Sequence, residues 1–388
     1  MRRARGGGIM GCSQINELEL GGDTGGSPRG VTVQPKTKIL CTLGPASLNG
    51  HVIQALDQRG VDLFRINLSH TPLPVVRSTI ELIRRYTTRP ICIDTEGAQV
   101  RCGKIAPGVV LTKGNRIRLT ATEVEGTADV IGLRPDFVFR ALRAGTIVHI
   151  DWDGASLEVL KVRDGEADAV VLEGGRIHSN RGVALEPSPV LPALTQMDIK
   201  SIQVALACGI DHFALSFASR AGDVSDLRTN LVGPSAYVFA KIENRAGLQE
   251  MNDIISCSDA IIIDRGDLSR AIPIEVIPMY QKEIIRRCNF LSKPAYVATN
   301  LLESMVQNRN PTIAEANDIM NTLIDGTHGL VLAAETAIGE NPVASVDMVI
   351  RMISAFELYN RLHLPPEQVD SALSGTVDLT TPLISAES

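Results

Sequence analysis

The stretch YVFAKIENRAG, residues 237–247, ends an apolar run on Lys241 and Glu243. A short β-branched and apolar run of this kind is typical of a strand buried on both faces of a parallel sheet. Seven other runs have the same character, and each is followed by a helical pattern: 38–43, 63–68, 91–95, 212–217, 260–265, 295–300 and 329–335. Eight such units predict an α/β fold, a closed (β/α)₈ or TIM barrel.

One interval breaks the alternation of strands and helices. Residues 102–188 contain short alternating segments separated by glycine, such as RIRLT (116–120) and GTIVHIDWDG (145–154), which indicate antiparallel strands. We therefore predict a barrel from 35–101 and 189–363, with a small antiparallel β domain inserted after strand 3 at 102–188. Active sites of such barrels lie at the carboxyl ends of the strands, so we expect the insert to cover the site as a lid. Residues 1–34 are predicted to be a flexible N-terminal tail and residues 364–388 a C-terminal tail.

Composition excludes several classes of protein. The chain has 388 residues and a formal net charge of −6 without a basic stripe, which argues against nucleic-acid binding. No apolar run has the length that a membrane span needs. The seven cysteines contain no CxxC pair, which is typical of a reduced, cytoplasmic protein.

Polar residues cluster at the carboxyl end of every predicted strand. A single charge in such a place is more often a solvated loop charge or part of a salt bridge. Their recurrence at all eight strand ends favours a shared active site. The residues are Thr42, Arg65, Asn67, Ser69, His70, Asp94, Thr95, Arg101, Ser216, Lys241, Glu243, Arg265, Asp267, Thr299, Glu335 and Thr336.

These residue types indicate the chemistry of the expected site. Glu243 and Asp267 follow adjacent strands and could hold one Mg²⁺ or Mn²⁺, because both ions prefer hard oxygen ligands. Lys241 lies two residues before Glu243 and therefore on the same face. Together with Arg65 and Arg101, these groups predict a substrate that carries phosphate and carboxylate. The turn RGDLS (265–269) could receive the carboxylate on its backbone amides.

The chain resembles the pyruvate kinase family in motifs that occur in the family's order over both barrel segments. Family membership implies transfer of the phosphoryl group of phosphoenolpyruvate to ADP, giving pyruvate and ATP in glycolysis. A homo-oligomer is compatible with this resemblance. The motifs are KTKILCTLGPAS (36–47), FRINLSH (64–70), IDTEGAQVR (93–101), LSFASRAGDV (215–224), AKIENRAG (240–247), RGDL (265–268), KPAYVATNLLESM (293–305), PTIAEANDI (311–319) and AAETAIGENP (333–342).

The resemblance also implies roles for individual residues. Lys241, Arg65 and Arg101 would contact the transferring phosphoryl group, and Thr299 would lie near the carbon that is protonated. The remaining implied sets are Arg265, Gly266 and Asp267 for the substrate carboxylate, Glu243 and Asp267 for Mg²⁺ or Mn²⁺, Asn67, Ser69, Asp94 and Thr95 for K⁺, and Thr42, Pro45, Asn67 and His70 for the nucleotide.

Several positions depart from the family pattern, among them Ala98, Ser269 and Ala271. Glu96 and Met197 stand where the family has lysines, Gln99 replaces a glutamate linked to K⁺ use, Asp264 adds a negative charge, and Ala333 replaces a serine. Two alternatives therefore stay open. One is a related enzyme that acts on pyruvate or oxaloacetate, or that passes the phosphoryl group of phosphoenolpyruvate to another acceptor. The other is a non-catalytic binding or regulatory relative.

The family's regulatory C-terminal domain has no counterpart in the sequence after residue 363, and we expect it to be absent. Because that domain binds sugar phosphates in the family, we predict no activation by fructose bisphosphate. The measurement is the KM for phosphoenolpyruvate with and without this effector. A marked fall in KM on its addition would contradict the prediction.

Overall fold

Eight of the apolar runs form parallel strands that close into one barrel. The computed structural model describes residues 36–362 except 152–153, 188, 190 and 232–235, so both predicted tails lie outside the described residues. With strands numbered along the chain, the barrel contains β1 (Lys38–Leu43), β2 (Leu63–Asn67), β3 (Ile91–Asp94), β13 (His212–Leu215), β14 (Tyr237–Ile242), β15 (Ala260–Asp264), β16 (Ala295–Ala298) and β17 (Gly329–Leu332). The predicted (β/α)₈ barrel is confirmed.

The order of the strands around the barrel is β1, β17, β16, β15, β14, β13, β3 and β2, which pairs again with β1. All eight strands begin at the predicted residue, but six end one to three residues earlier than predicted. The polar residues at the predicted ends have already left the sheet and open the following loop or helix. Arg265, for example, is the first residue of a short helix rather than the last of a strand.

Helices alternate with the barrel strands, and the longer ones cover the barrel's outer face. They are α1 (Gly50–Gln58), α2 (Leu73–Arg84), α3 (Gln196–Ala207), α4 (Ala221–Asn230), α5 (Arg245–Gln249), α6 (Met251–Cys257), α7 (Arg265–Leu268), α8 (Ile277–Phe290), α9 (Ile313–Ile324), α10 (Ala334–Ala337) and α11 (Pro342–Leu362). Short 3₁₀ turns lie at Asp136–Arg140, Ile274–Val276 and Glu303–Val306.

The ends of α9 illustrate how local sequence sets a helix boundary. The Thr312 hydroxyl accepts a hydrogen bond from the backbone amide of Glu315, whose carboxylate in turn accepts from the amide of Thr312. This reciprocal capping box satisfies two amides that the first helical turn leaves unpaired. Gly326, just past the helix, has φ +87°, a left-handed conformation that glycine adopts without strain.

Alternation along the strands separates two apolar cores. On β14, Val238, Ala240 and Ile242 pack under the helices, whereas Phe239 packs inside the barrel. Lys241 lies two residues after Phe239 and therefore belongs to the interior face. The interior core consists of Leu40, Leu63, Cys92, Ala214, Phe239, Ala260, Ile262, Tyr296, Ala298 and Val331.

The segment between β3 and β13 forms a second sheet with its own apolar core. Its seven strands lie in the order β12, β8, β9, β10, β6, β7 and β4, and β11 pairs separately with β5. These strands are β4 (Arg101–Cys102), β5 (Val110–Leu111), β6 (Arg116–Thr120), β7 (Val130–Arg134), β8 (Ile147–Ile150), β9 (Ala155–Arg163), β10 (Glu166–Glu173), β11 (Gly175–Arg176) and β12 (Val183–Glu186).

The antiparallel pattern predicted for this insert has one exception. β6 and β7 pair in parallel, because the chain between them returns along the length of β6 before β7 begins. All other pairs between its strands are antiparallel, although an isolated bridge between Ile105 and Gly126 is also parallel. The domain bounds at 102 and 188 stay a prediction.

None of the helices in the described part of the chain combines the length and the apolar character that a bilayer span requires.

We predict that the barrel's outer core dominates stability. Phe213 on β13 is fully buried, so Phe213→Ala should cost about 3–5 kcal/mol of unfolding free energy through lost burial and a cavity. The same change at Phe290, which is 84% exposed, should stay within about 0.5 kcal/mol. Denaturant unfolding measures both variants. Similar losses in the two would contradict the prediction.

Candidate active site

A cavity of about 1830 Å³ opens at the carboxyl ends of the barrel strands. The inserted sheet contributes to its wall through residues such as Ala121, Arg134 and Phe137. Most of the predicted site residues line this one cavity, as the barrel architecture leads one to expect. They are Thr42, Pro45, Arg65, Asn67, Ser69, His70, Asp94, Arg101, Lys241, Gly266, Asp267 and Thr299.

Five predicted residues do not line the cavity: Thr95, Glu243, Arg265, Glu335 and Thr336. Thr95 and Glu243 are buried just behind its surface. The Arg265 side chain points elsewhere, because its position at the start of α7 directs the guanidinium to the carbonyl oxygen of Thr299, 2.8 Å away, and to Asp318, 2.7 Å away. The structure therefore brings the backbone of 265–267 to the cavity, but not the side chain of Arg265.

The ammonium group of Lys241 lies at the bottom of the cavity among three carboxylates. Its Nζ is 3.0 Å from Glu243, 3.2 Å from Asp264 and 3.5 Å from Asp94, and it donates a hydrogen bond to Ser216 Oγ at 3.2 Å. Burial alone would lower the pKa of Lys241, but the three carboxylates raise it above its ordinary value. The lysine is therefore a fixed cation.

Arg65 supplies a second buried cation. Its Nε and Nη2 donate to Asp94 Oδ2 at 3.0 and 2.5 Å, and its Nη1 donates to Thr42 Oγ1 at 2.8 Å. Burial works against the charge, yet Asp94 and Asp264 raise the pKa of Arg65. The guanidinium is thus held by β1 and β3, the two strands that flank its own.

The residues expected for K⁺ lie at the ends of β2 and β3, where Asn67 stands opposite Asp94. The Asn67 side chain accepts from the amide of Ser69 at 2.9 Å. The hydroxyl of Thr95 accepts from the amide of Ser216 at 3.0 Å. These contacts order the backbone at the two strand ends.

Three carboxylates form a compact oxygen cluster. Glu243, Asp264 and Asp267 each place one oxygen within 4.8 Å of those of the other two. Glu243 Oε1 accepts from the amide of Phe217 at 2.7 Å, whereas the buried Oε2 has no hydrogen-bond partner among the described residues. Hard oxygen ligands, and a buried carboxylate oxygen whose one polar contact in the described part of the chain is the ion pair with Lys241, both fit a divalent ion such as Mg²⁺ or Mn²⁺.

The charges in this cluster affect one another. Burial raises the pKa of Glu243 to about 8. The positive charge of Lys241 opposes this rise, and the negative charge of Asp264 adds to it. Asp264 is buried too, but Lys241 and Arg65 keep its pKa below the ordinary value. Burial and the neighbouring Asp264 raise the pKa of Asp267. Lys241 and Arg65 therefore do not fully offset the negative charge of the carboxylates in this cluster.

Thr299 and Gly266 meet where the substrate carboxylate was expected. The amide of Gly266 donates to Thr299 Oγ1 at 2.7 Å, and the Thr299 hydroxyl lies 3.1 Å from Asp264 Oδ1. Thr299 has φ +65°, which is strained for a β-branched residue. Strain of this kind persists where the surrounding contacts hold a side chain in a required place.

Sequence reasoning missed the contribution of Asp198. Its carboxylate accepts from the amides of Glu96 at 2.7 Å, Gly97 at 3.2 Å and Thr195 at 2.9 Å, and so ties the loop after β3 to the start of α3. The spacing of Thr195 and Asp198 is that of a capping box, a signal that was present in the sequence. Through this contact Asp198 holds Glu96 at the cavity wall.

Glu335 and Thr336, which the sequence also placed at a strand end, connect loops. The Glu335 carboxylate accepts from the amides of Leu302 at 3.0 Å and Ala333 at 2.9 Å. Thr336 donates to the carbonyl oxygen of Thr42 at 2.8 Å. Both residues support the mouth of the barrel.

The sequence has clear relatives. Residues 34–346 match the family model described as pyruvate kinase, barrel domain. The chain is 34% identical to a pyruvate kinase of Sporosarcina psychrophila, with 82% of this chain and 56% of the relative aligned. It is 35% identical to one of Thermococcus litoralis (84% and 70%) and 34% identical to one of Staphylococcus saprophyticus (80% and 55%). The chain thus spans little more than half the length of two of these three relatives.

We predict that the buried lysine is essential for stability as well as for charge. Lys241→Met leaves Glu243, Asp264 and Asp94 short of a cation, so unfolding free energy should fall by about 3–5 kcal/mol. The matched change is Lys282→Met, which breaks an ion pair with Asp325. The Lys282 side chain is 55% exposed, so this change should lower the unfolding free energy by about 1 kcal/mol or less. Denaturant unfolding compares the two variants.

A second variant tests the cause of this loss. Adding Asp264→Asn to Lys241→Met removes one of the unpaired charges and should recover part of the lost stability. Equal losses in Lys241→Met and Lys282→Met would mean that the ammonium group is not needed to offset the carboxylates.

Proposed function

Because the chain belongs to the pyruvate kinase family, we propose that it transfers the phosphoryl group of phosphoenolpyruvate to ADP, giving pyruvate and ATP. The observation that carries this proposal is the placement of Lys241 and Arg65 beside the cluster of Glu243, Asp264 and Asp267 in a single cavity. Fixed cations beside a cation-binding cluster suit a substrate with concentrated negative charge.

Positioning and charge account for most of the proposed chemistry. The bond between the enol oxygen and phosphorus breaks, and a terminal oxygen of ADP forms the new bond to phosphorus. Lys241 and Arg65 offset negative charge on the phosphoryl oxygens and on the enolate oxygen as it develops, which lowers the barrier because both cations are already in place. The enolate then takes up a proton at carbon, next to Thr299.

Glu243 and Asp267 are proposed to hold a divalent ion, Mg²⁺ or Mn²⁺. When bound, the ion supplies positive charge for the phosphoryl and enolate oxygens. Asn67, Ser69, Asp94 and Thr95 are proposed as K⁺ ligands. The backbone of Arg265, Gly266 and Asp267 is proposed to receive the substrate carboxylate.

The acceptor nucleotide is proposed to lie along Thr42, Pro45, Asn67 and His70, which share the cavity with Lys241. Arg101, at the edge of the insert, also lines the cavity and is proposed to reach a phosphate group. A cytoplasmic protein with a role in glycolysis is consistent with this reaction.

One observation favours a second candidate, a phosphoryl acceptor other than ADP. Glu96 lines the cavity, and its carboxylate would repel the phosphates of a nucleotide. Met197, at the other position where the family has a lysine, is 52% exposed and adds no charge. These two residues make the part of the cavity proposed for the acceptor less positively charged than the family's two lysines would make it.

We predict pyruvate release from phosphoenolpyruvate with ADP and Mg²⁺, measured with and without K⁺. Asp267→Asn should lower turnover by at least about 100-fold, because it removes a carboxylate proposed to bind the ion that offsets transition-state charge. Lys282→Met, far from the cavity, is the control and should retain the turnover of the unmodified protein.

A panel of other diphosphates and phosphate acceptors separates the two candidates. Release with another acceptor but not with ADP would favour the second candidate. A folded protein that releases no pyruvate with any acceptor would contradict both.

A further inference from the structure

Asp264 places a third carboxylate in the ion cluster. It ends β15, where Ala260 and Ile262 face the barrel interior, so alternation turns its side chain inward. It is 3% exposed, and its Oδ2 lies 3.2 Å from Lys241 Nζ. Its other oxygen accepts from the Thr299 hydroxyl at 3.1 Å. Asp264 is therefore held firmly at the bottom of the cavity.

Charge balance at the bottom of the cavity depends on Asp264. The buried groups are two cations, Arg65 and Lys241, and three carboxylates, Asp94, Glu243 and Asp264. Asp264 brings the number of buried carboxyl groups to one more than the number of cations. An unbalanced buried charge is costly, and a bound cation would offset it.

Asp267, the more exposed member of the cluster, adds a further carboxylate. It pairs at 3.0 Å with Arg270, whose side chain is half exposed. Because solvent screens an exposed pair of this kind, it does little to balance the buried charges.

Glu243 provides an independent indication of a cation. One of its carboxylate oxygens, Oε2, makes no hydrogen bond within the described part of the chain, although the residue is 1% exposed. This oxygen forms an ion pair with Lys241 Nζ, 3.0 Å away. A buried carboxylate oxygen with spare acceptor capacity is suited to metal coordination.

We propose that Asp264 is a third protein ligand of the divalent ion, beside Glu243 and Asp267. The inference rests on the proposed function only for the class of ion. Octahedral coordination then leaves about three positions for water and substrate oxygens. The site would favour substrates that offer two or three hard oxygens together, such as a phosphate next to a carboxylate.

The test measures binding of Mn²⁺ to the substrate-free protein. The electron paramagnetic resonance signal of free Mn²⁺ reports how much of the ion stays unbound. Asp264→Ala and Asp264→Asn should each raise the Kd at least about 10-fold, since even residues that only support a ligand often contribute that much. Asp264→Asn keeps the size of the side chain and guards against a folding defect in Asp264→Ala. Thermal unfolding without metal checks that both variants are folded.

A loss of nearby charge alone must be distinguished from the loss of a ligand. Asp94→Asn is the matched control, because Asp94 also contacts Lys241 Nζ, at 3.5 Å, but does not belong to the cluster. Water-proton relaxation reports the number of water molecules on bound Mn²⁺. This number should rise by about one in Asp264→Ala and stay unchanged in Asp94→Asn.

The outcomes separate this inference from the proposed function. Failure of the unmodified protein to bind Mn²⁺ without substrate would overturn the inference, as would an unchanged hydration number in Asp264→Ala. Mn²⁺ binding that depends on Asp264, in a protein that releases no pyruvate, would support the inference and contradict the proposed function.

Discussion

The arrangement of the cavity depends on burying the ammonium group of Lys241 among three carboxylates. Asp94, Glu243 and Asp264 come from β3, from the end of β14 and from β15, which are close to one another around the barrel. A charged lysine is stable in a buried place only when such partners offset its charge. Buried carboxylates likewise need a nearby cation to offset their negative charge. Barrel closure and charge balance therefore support each other, because the strand order brings these groups together.

The cavity has two parts, a floor at the ends of the barrel strands and a wall beside it. Lys241, Arg65 and the carboxylates stand on strands or directly after them, where backbone pairing holds them in place. The wall is made by loops and by the inserted sheet, which carries its own apolar core. Asp198 links the two parts by fixing the loop after β3 to α3. Charged groups held in place on the floor are suited to stabilise charge that develops during a reaction. Residues of the wall would determine which acceptor molecule binds.

Much of this arrangement could be predicted residue by residue, and the exceptions have physical reasons. Lys241 and Glu243 share a face because side chains alternate along a strand, and the cavity indeed has Lys241 at its base. Arg265 was placed at a strand end, but it begins a helix and its guanidinium turns to Asp318. Asp264 was recognised as an added charge, yet its place within 4.8 Å of two other carboxylates follows from the pairing of β14 and β15.

The sequence by itself determined the number and starts of the barrel strands, the face on which residues within the strands lie, and the place of the inserted sheet. These features follow from periodicity and turn chemistry, which act over a few residues. Only the tertiary structure decided which charges meet: Lys241 with Asp94 and Asp264, Arg65 with Asp94, and Asp198 with the loop that carries Glu96. Such distances depend on how a closed barrel brings together residues that are far apart along the chain, and no local pattern encodes them.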